Sequence, residues 1–503
     1  MLSAIIKATM AYLADMSKKD RKKIGQFFTS ANTADYMASL FSCPDKERIT
    51  ILDPGTGTGI LAAAMLEKIF GTNREASIEL TCYETDKNVL PVLKANLQYM
   101  KAAYGDRLHI ILREEDYILS QASEFNDELF QEGHSKKWDV VIANPPYMKV
   151  EKKHPASKAM SKVVHGSPNL YFLFMCMALF NLRQGGEMVF IVPRSWTSGA
   201  YFRAFREYLL SEGKLSYIHL FASRDKVFKE EQVLQETMIV KIKKTHDEPQ
   251  NIKIASSQSS HDFSHIDMIE QPYNKIVIGK EKYVLLPINP YEVSVINTVN
   301  TYKNNMTYYG YKMKTGIVVD FRHKYALRDT CDRNTVPLFY SQNIKNGIVN
   351  HNASGKNLDW LVIDYPGLIQ DNKDYVFFKR FTAKEEKRRL QCGIYHADDF
   401  CQYKYIGTHN KINFIERIDK EAFSRAEIYG LYALFNTTMY DVYYRILNGS
   451  TQVNSTELNR MPVPPMDVIS HIGEKLLING DLTTENCDKI VMEIAYGKKD
   501  AGC

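Results

Sequence analysis

Long apolar stretches are missing from this 503-residue chain. No run of about 18 apolar residues occurs, so no segment is expected to span a membrane. The N-terminal stretch "MLSAIIKATMAYLAD" is too broken by Lys7 and Asp15 to read as a signal peptide. Cysteine pairs are missing too. Cys43, Cys82, Cys176, Cys331, Cys392, Cys401, Cys487 and Cys503 are scattered without a C-x-x-C pair, and no histidines cluster beside them. No metal site is therefore expected, and a reducing, cytoplasmic setting is the simplest reading. Neither sign of charge dominates: 64 Lys and Arg against 59 Asp and Glu leave a net charge of +5. That balance permits a polyanionic partner without requiring one. There is no internal repeat and no heptad pattern.

What is present is an ordinary folded composition, 45% hydrophobic and 24% charged, in a chain long enough for two or three domains. From 49 to 243 short β-branched runs alternate with helical stretches: "ITILD", "SIELTCYE", "LHIIL", "WDVVIANPP", "EMVFIVP", "LSYIHLF" and "QETMIVKIKK". Continuous apolar strands alternating with helices predict an α/β fold, a parallel, doubly wound sheet covered on both faces that binds ligands at the carboxyl ends of its strands. The polar segment 243–265 predicts a boundary or an exposed connection. Beyond it the chain is rich in Tyr, Asn and Lys and loses the strand–helix rhythm, which predicts a second domain of mixed α and β structure.

The chemistry gathers at the strand ends. After "ITIL" comes "DPGTGTGIL", with Asp53 followed by Gly55, Gly57 and Gly59. Glycines suit a sharp turn that approaches a ligand and feeds a helix N-terminus. The spacing is not that of a dinucleotide fingerprint, and the Lys of a phosphate-binding loop is absent, so a plain tight turn remains an alternative. The second strand ends at Glu84, placed to accept from both hydroxyls of a ribose, with Asp86 better suited to capping a helix. Asp116 follows the third strand and could accept from an adenine amine. Turn, ribose acid and base-reading acid describe an adenosine cofactor without pyrophosphate, for which S-adenosylmethionine fits better than a dinucleotide.

The fourth strand runs into Asn144, Pro145, Pro146 and Tyr147. The amine of adenine is a poor nucleophile because its lone pair is delocalised into the ring. Two acceptors aimed at its hydrogens, the Asn144 oxygen and the Pro145 carbonyl, would localise that pair. Paired prolines hold the carbonyl rigidly, and Tyr147 offers a face for an extruded base.

On these motifs the chain resembles the gamma-class DNA adenine-N6 methyltransferases, an Eco57I-type methylase family, and within them the branch that contains the PstI and BsuBI modification enzymes. The resemblance covers nearly the whole chain. It implies a Rossmann-like methyltransferase domain at 1–250, a DNA target-recognition domain at 251–490, S-adenosylmethionine as cofactor, and duplex DNA as partner. It also implies that Phe27, Phe28 and Thr29 in "GQFFTS" pack on the methionine end of the cofactor, and that Asp53, the three glycines, Glu84, Asp116 and Asn144 line the rest. Phe228 stands where the family places a second aromatic wall around the flipped adenine. The segments 377–395 and 448–464 look like target-recognition sequence, which makes Lys379, Arg380, Arg388, Arg389 and Asn454 candidate DNA contacts. "KKDRKK" at 18–23 is a weaker one, since charge runs are usually solvated faces. No Pro-Cys dipeptide, the nucleophile of cytosine-C5 enzymes, occurs. A cytoplasmic, bacterial or archaeal monomer is expected, with any restriction endonuclease on a separate chain and CTGCAG as the candidate target. The rivals are "NPPY" methyltransferases of ribosomal RNA guanine or release-factor glutamine, and a binding-only subunit with a dead site.

Overall fold

The computed structural model describes residues 1–15, 29–44, 46–127, 137–221, 237–259, 263–351, 358–383, 385–448 and 452–497. These form two compact units, Met1–Asn289 and Pro290–Cys503.

The first unit is built on a nine-stranded sheet. Its strands are β1 (Arg48–Asp53), β2 (Ser77–Tyr83), β3 (Leu108–Arg113), β4 (Trp138–Ala143), β5 (Leu182–Pro193), β6 (Lys214–Phe221), β7 (Thr237–Lys243), β8 (Asn251–Ser257) and β9 (Asp267–Pro272). They lie in the order β3-β2-β1-β4-β5-β7-β6-β8-β9. β1 to β5 pair in parallel, and β7 runs antiparallel between β5 and β6. The order reverses between β1 and β4, the switch point at which such sheets leave a crevice.

Side-chain alternation along each strand builds two cores. Ile51, Val140, Ile142, Val189 and Ile191 pack against helices α1 (Leu2–Asp15), α2 (Ala31–Ser39), α3 (Ile60–Thr72) and α4 (Leu90–Tyr104). Leu52, Val141, Ala143, Phe190 and Val192 face the other way, onto α5 (Leu170–Asn181) and α6 (Arg203–Glu212). Because both faces are covered, the strands read in sequence as continuous apolar runs.

All seven expected strands form. Two differences follow from packing. β7 is antiparallel, a direction that an apolar run does not encode. β8 and β9 then continue the same sheet, β8 parallel to β6 and β9 antiparallel to β8. The compact unit therefore runs on to Asn289, past the boundary expected at 250 and through part of the segment read as a connection.

The second unit is mixed α and β. A six-stranded sheet contains Tyr311–Thr315, Ile412–Arg417, Tyr375–Lys379 and Cys392–Tyr395 as neighbours, and a five-stranded sheet contains Trp360–Val362, Thr335–Phe339 and Tyr405–Thr408. Helices Arg425–Phe435 and Met466–Asn479 cross in close contact. Among the described residues no helix is long and apolar enough to cross a membrane.

Candidate active site

The glycine turn after β1 has the geometry its sequence requires. Gly57 and Gly59 take φ of 57° and 91°, the left-handed region that favours glycine. Gly59 caps α3, and a side chain there would also crowd Leu93 and Met100, since its Cβ would lie 3.3 and 3.2 Å from them. The Thr56 hydroxyl donates to the Asp53 carbonyl at 2.8 Å, and the Thr56 N–H donates to the Tyr83 carbonyl at 3.0 Å.

Glu84 ties this turn to the end of β2. One carboxylate oxygen accepts from the Gly57 N–H at 2.9 Å, and the other accepts from the N–H groups of Thr85 and Asp86, each at 2.8 Å. Burial raises the Glu84 pKa, and these three donors oppose the rise. Asp53 lies beneath the turn with no exposed surface, and burial followed by repulsion from Glu84 pushes its pKa up to about 8. The Gly55 and Ala62 N–H groups pull the other way, although neither Asp53 oxygen has a partner in normal hydrogen-bond geometry.

At the end of β3, Asp116 caps the short helix Tyr117–Ser120, its carboxylate accepting from the Leu119 N–H at 2.9 Å. At the end of β4, the Asn144 side-chain nitrogen donates to the buried Thr29 hydroxyl at 3.2 Å, which orients the amide. Pro145 is buried, and Pro146 and Tyr147 are half-buried. The Tyr147 hydroxyl donates to the Ile191 carbonyl of β5 at 2.9 Å, and Tyr171 meets its ring edge-on with centroids 6.3 Å apart. The chain beyond is fastened to the entry of α5 by Leu170 N–H to Met148 O at 2.8 Å and Val150 N–H to Pro168 O at 2.7 Å.

These strand ends enclose a cavity of about 340 Å³. Thr29, Gly55, Gly57, Glu84, Asp116, Asn144, Pro145 and Pro146, all expected at the site, line it. Asp53, Gly59 and Tyr147 lie behind or beside that lining and act through the turn and the strand end. Phe27, Phe28, Phe228 and the 18–23 basic run lie outside the described residues. Sequence reasoning missed Tyr117 and Phe174 as cavity walls, whose rings sit 5.6 Å apart. Helical phase alone does not say which ring of Leu170–Asn181 faces the glycine turn; Phe174 does, 3.5 Å from where a Gly55 Cβ would stand.

The charge of the cavity selects its ligand. Glu84, Asp86, Glu115 and Asp116 line it together with His154, and none of its described lining residues is Lys or Arg. A phosphate-rich ligand would find no cationic side chain among them to offset these carboxylates, whereas a cationic one gains from the field.

In the second unit the candidate DNA contacts separate. Lys379 is half-buried at a strand end, and Arg380 donates to the Asn410 carbonyl at 3.0 Å and to Gln452 at 3.2 Å. Arg388, half-buried, and Arg389, buried, are both engaged within the fold. Arg388 donates to the carbonyls of Leu390, Phe435 and Thr437 and to the Thr484 hydroxyl at 3.1 to 3.4 Å. Arg389 is 2% exposed, over the Tyr444 ring. A guanidinium so enclosed cannot meet phosphate without breaking its own packing. Asn454 belongs to a polar network, donating from its side chain to Glu457 at 3.2 Å and from its backbone to the Tyr444 hydroxyl at 3.0 Å.

Comparisons with known proteins find relatives over nearly the whole chain. A family model described as Eco57I restriction-modification methylase matches residues 72–228. The chain is 34% identical over 466 residues to type II methyltransferase M.BsuBI of Bacillus subtilis, spanning 92% of this chain and 91% of that protein. It is 33% identical over 482 residues to type II methyltransferase M.PstI of Providencia stuartii, spanning 94% and 92%. Among solved structures, the type IIL restriction-modification enzyme MmeI in complex with DNA aligns with a TM-score of 0.54 at 12% identity, over 100% of this chain and 76% of that one, a likeness of fold.

Proposed function

This chain belongs to the type II DNA methyltransferases, and from that premise we propose that it methylates the N6 amine of an adenine flipped out of duplex DNA, with S-adenosylmethionine as donor. The observation that carries the reading is that Asn144, Pro145 and Pro146 line the same cavity as the glycine turn and Glu84. Acceptors for an amine and a seat for an adenosine thus share one chamber.

The residues fit that cofactor. Its sulfonium and ammonium groups are cationic, and the acidic lining without Lys or Arg favours them. Glu84 and Asp116 would hold the ribose and the adenine, and Gly55 and Gly57 allow close approach of the backbone. The cofactor, when bound, supplies an electrophilic methyl group.

The chain does the rest by orientation and electrostatics. Asn144, its amide oriented through Thr29, and the proline-fixed Pro145 carbonyl accept from the two hydrogens of the amine. Nitrogen becomes positively charged as the new bond forms, so these acceptors hold the transition state more tightly than the ground state. Tyr147, anchored through its hydroxyl, offers a fixed ring for the extruded base, with Phe228 the proposed opposite wall. A separately encoded endonuclease and a cytoplasmic location accord with this role.

Asn144→Ala tests it. Loss of one preorganised acceptor should lower turnover on the order of 10²-fold, as for loss of an oxyanion-hole donor, with cofactor affinity little changed. Tritiated-methyl incorporation into duplex DNA gives the first quantity and calorimetry the second; near wild-type turnover would remove the assigned role.

A further inference from the structure

On the second unit, two segments converge on the turn His409–Lys411 and raise aromatic rings and cations into solvent. The loop after strand Tyr311–Thr315 is bound to that turn. Val318, fully buried, donates to the Thr408 carbonyl at 3.1 Å and accepts from the Asn410 N–H at 2.8 Å. At Gly316 a Cβ would lie 2.2 Å from the His409 carbonyl oxygen, so only glycine permits this approach. The loop is then closed on itself, the Val319 N–H donating to His323 Nδ1 at 3.0 Å and the His323 N–H to the Val319 carbonyl at 2.9 Å. On the other flank Arg380 reaches the same turn, donating from its side chain to the Asn410 carbonyl at 3.0 Å and from its backbone to the Lys411 carbonyl at 2.9 Å.

This framework leaves Phe321 79% exposed, Ile317 48% and Phe381 46%. Three exposed apolar side chains held on one bonded framework form a candidate contact surface, which single exposed rings elsewhere do not. Arg322 lies over the Phe321 ring at 5.5 Å, Arg380 lies over the Phe381 ring at 5.4 Å, and Lys324 and Lys411 are exposed beside them. Arg322, Lys324 and Lys411 make no ion pair with a described residue. The nearest acid on the loop, Asp320, is engaged with His409 Nε2 at 3.1 Å and with the Tyr340 hydroxyl at 3.3 Å. Against that one acid, whose charge persists beside an imidazole that burial holds below its usual pKa, the ridge sets Arg322, Lys324, Arg380 and Lys411.

We propose that this ridge contacts duplex DNA, the rings of Phe321 and Phe381 packing on base and sugar edges in a groove while Arg322, Lys324 and Lys411 meet the flanking phosphates. The assignment rests on the reading of the chain as a DNA methyltransferase and names a surface that reading leaves open. Aromatic wedges flanked by cations are the means by which proteins grip and distort a duplex, as base extrusion requires.

The test measures binding separately from methyl transfer. The full chain is titrated onto a fluorescent mixed-sequence duplex across a range of salt concentrations, without cofactor. Arg322→Gln combined with Lys411→Gln should weaken binding for every sequence and flatten the salt dependence by about two phosphate contacts. Phe321→Ala and Phe381→Ala should each weaken it about tenfold, with melting temperatures unchanged. Tyr291→Ala, which removes a ring 56% exposed and off the ridge, should leave binding intact. Wild-type affinity and salt slope in the ridge variants, or a wild type that does not bind duplex, would overturn the proposal. So would ridge variants that lose affinity for an unrelated protein partner instead. If duplex binding depends on the ridge and yet no methyl group is transferred, it is the reading of the cavity that fails.

Discussion

Glu84 illustrates how one side chain serves both fold and ligand. Its carboxylate gathers three backbone N–H groups from two segments, so it shapes the turn that it would later help fill with a ribose. Glu84→Ala should weaken S-adenosylmethionine binding by about 1–3 kcal/mol and lower the melting temperature as well, because the stranded N–H groups lose their acceptor. Calorimetry showing equal cofactor affinity would exclude Glu84 as the ribose partner. Its place at a strand end was legible in the sequence; its bond to Gly57, across 27 residues, was not, because only the β1–β2 pairing creates it. Asp53 makes a second residue-scale prediction. Its pKa of about 8 in the folded chain compares with about 3.9 when unfolded. The folded state keeps a proton that the unfolded state releases, so this carboxyl favours folding most at acid pH, and the advantage is lost as pH rises from about 4 to about 8. Asp53→Asn, neutral and nearly isosteric, should remove that dependence. Melting curves across the window should show wild type losing ground to the variant as pH rises, and a constant difference would contradict the burial argument.

At the scale of elements, legibility followed the physics of each signal. Strands buried on both faces announce themselves as apolar runs, which is why β1 to β7 were all anticipated. Strand direction and the addition of β8 and β9 depend on tertiary pairing, and no local pattern encodes them. The engagement of Arg388 was not legible for a related reason: a basic run reads alike whether it meets phosphate or the carbonyls of a neighbouring helix end. The helix pair Arg425–Phe435 and Met466–Asn479 depended on glycine in a way the sequence did not advertise. A Cβ at Gly430 would lie 1.9 Å from the Ile469 carbonyl oxygen, and one at Gly473 would lie 1.8 Å from that of Ala426. Gly473→Ala should therefore force the helices apart and destabilise the second unit by at least the ~1–3 kcal/mol typical of overpacking, despite the better helix propensity of alanine. Chemical denaturation would reveal it; a variant as stable as wild type would mean that the helices can separate freely.

For the whole molecule, one unit holds the proposed reaction chamber and the other the exposed aromatic and basic ridge, a division that would suit the proposed grip on a long polyanion and action on one base of it. The first unit could be read in outline from its motifs because they sit at strand ends, where a doubly wound sheet puts its chemistry. The second could not, since short irregular strands leave no periodicity to follow. The chamber is proposed to methylate the adenine amine in duplex DNA. The most direct test is to incubate the purified chain with duplex DNA and labelled S-adenosylmethionine, digest the product to nucleosides, and identify the labelled one by chromatography and mass spectrometry. Wild type should yield N6-methyladenine, and Asn144→Ala about a hundredth of it or less. Label on cytosine, or label taken up by ribosomal RNA or protein while the duplex stays unmodified, would contradict it.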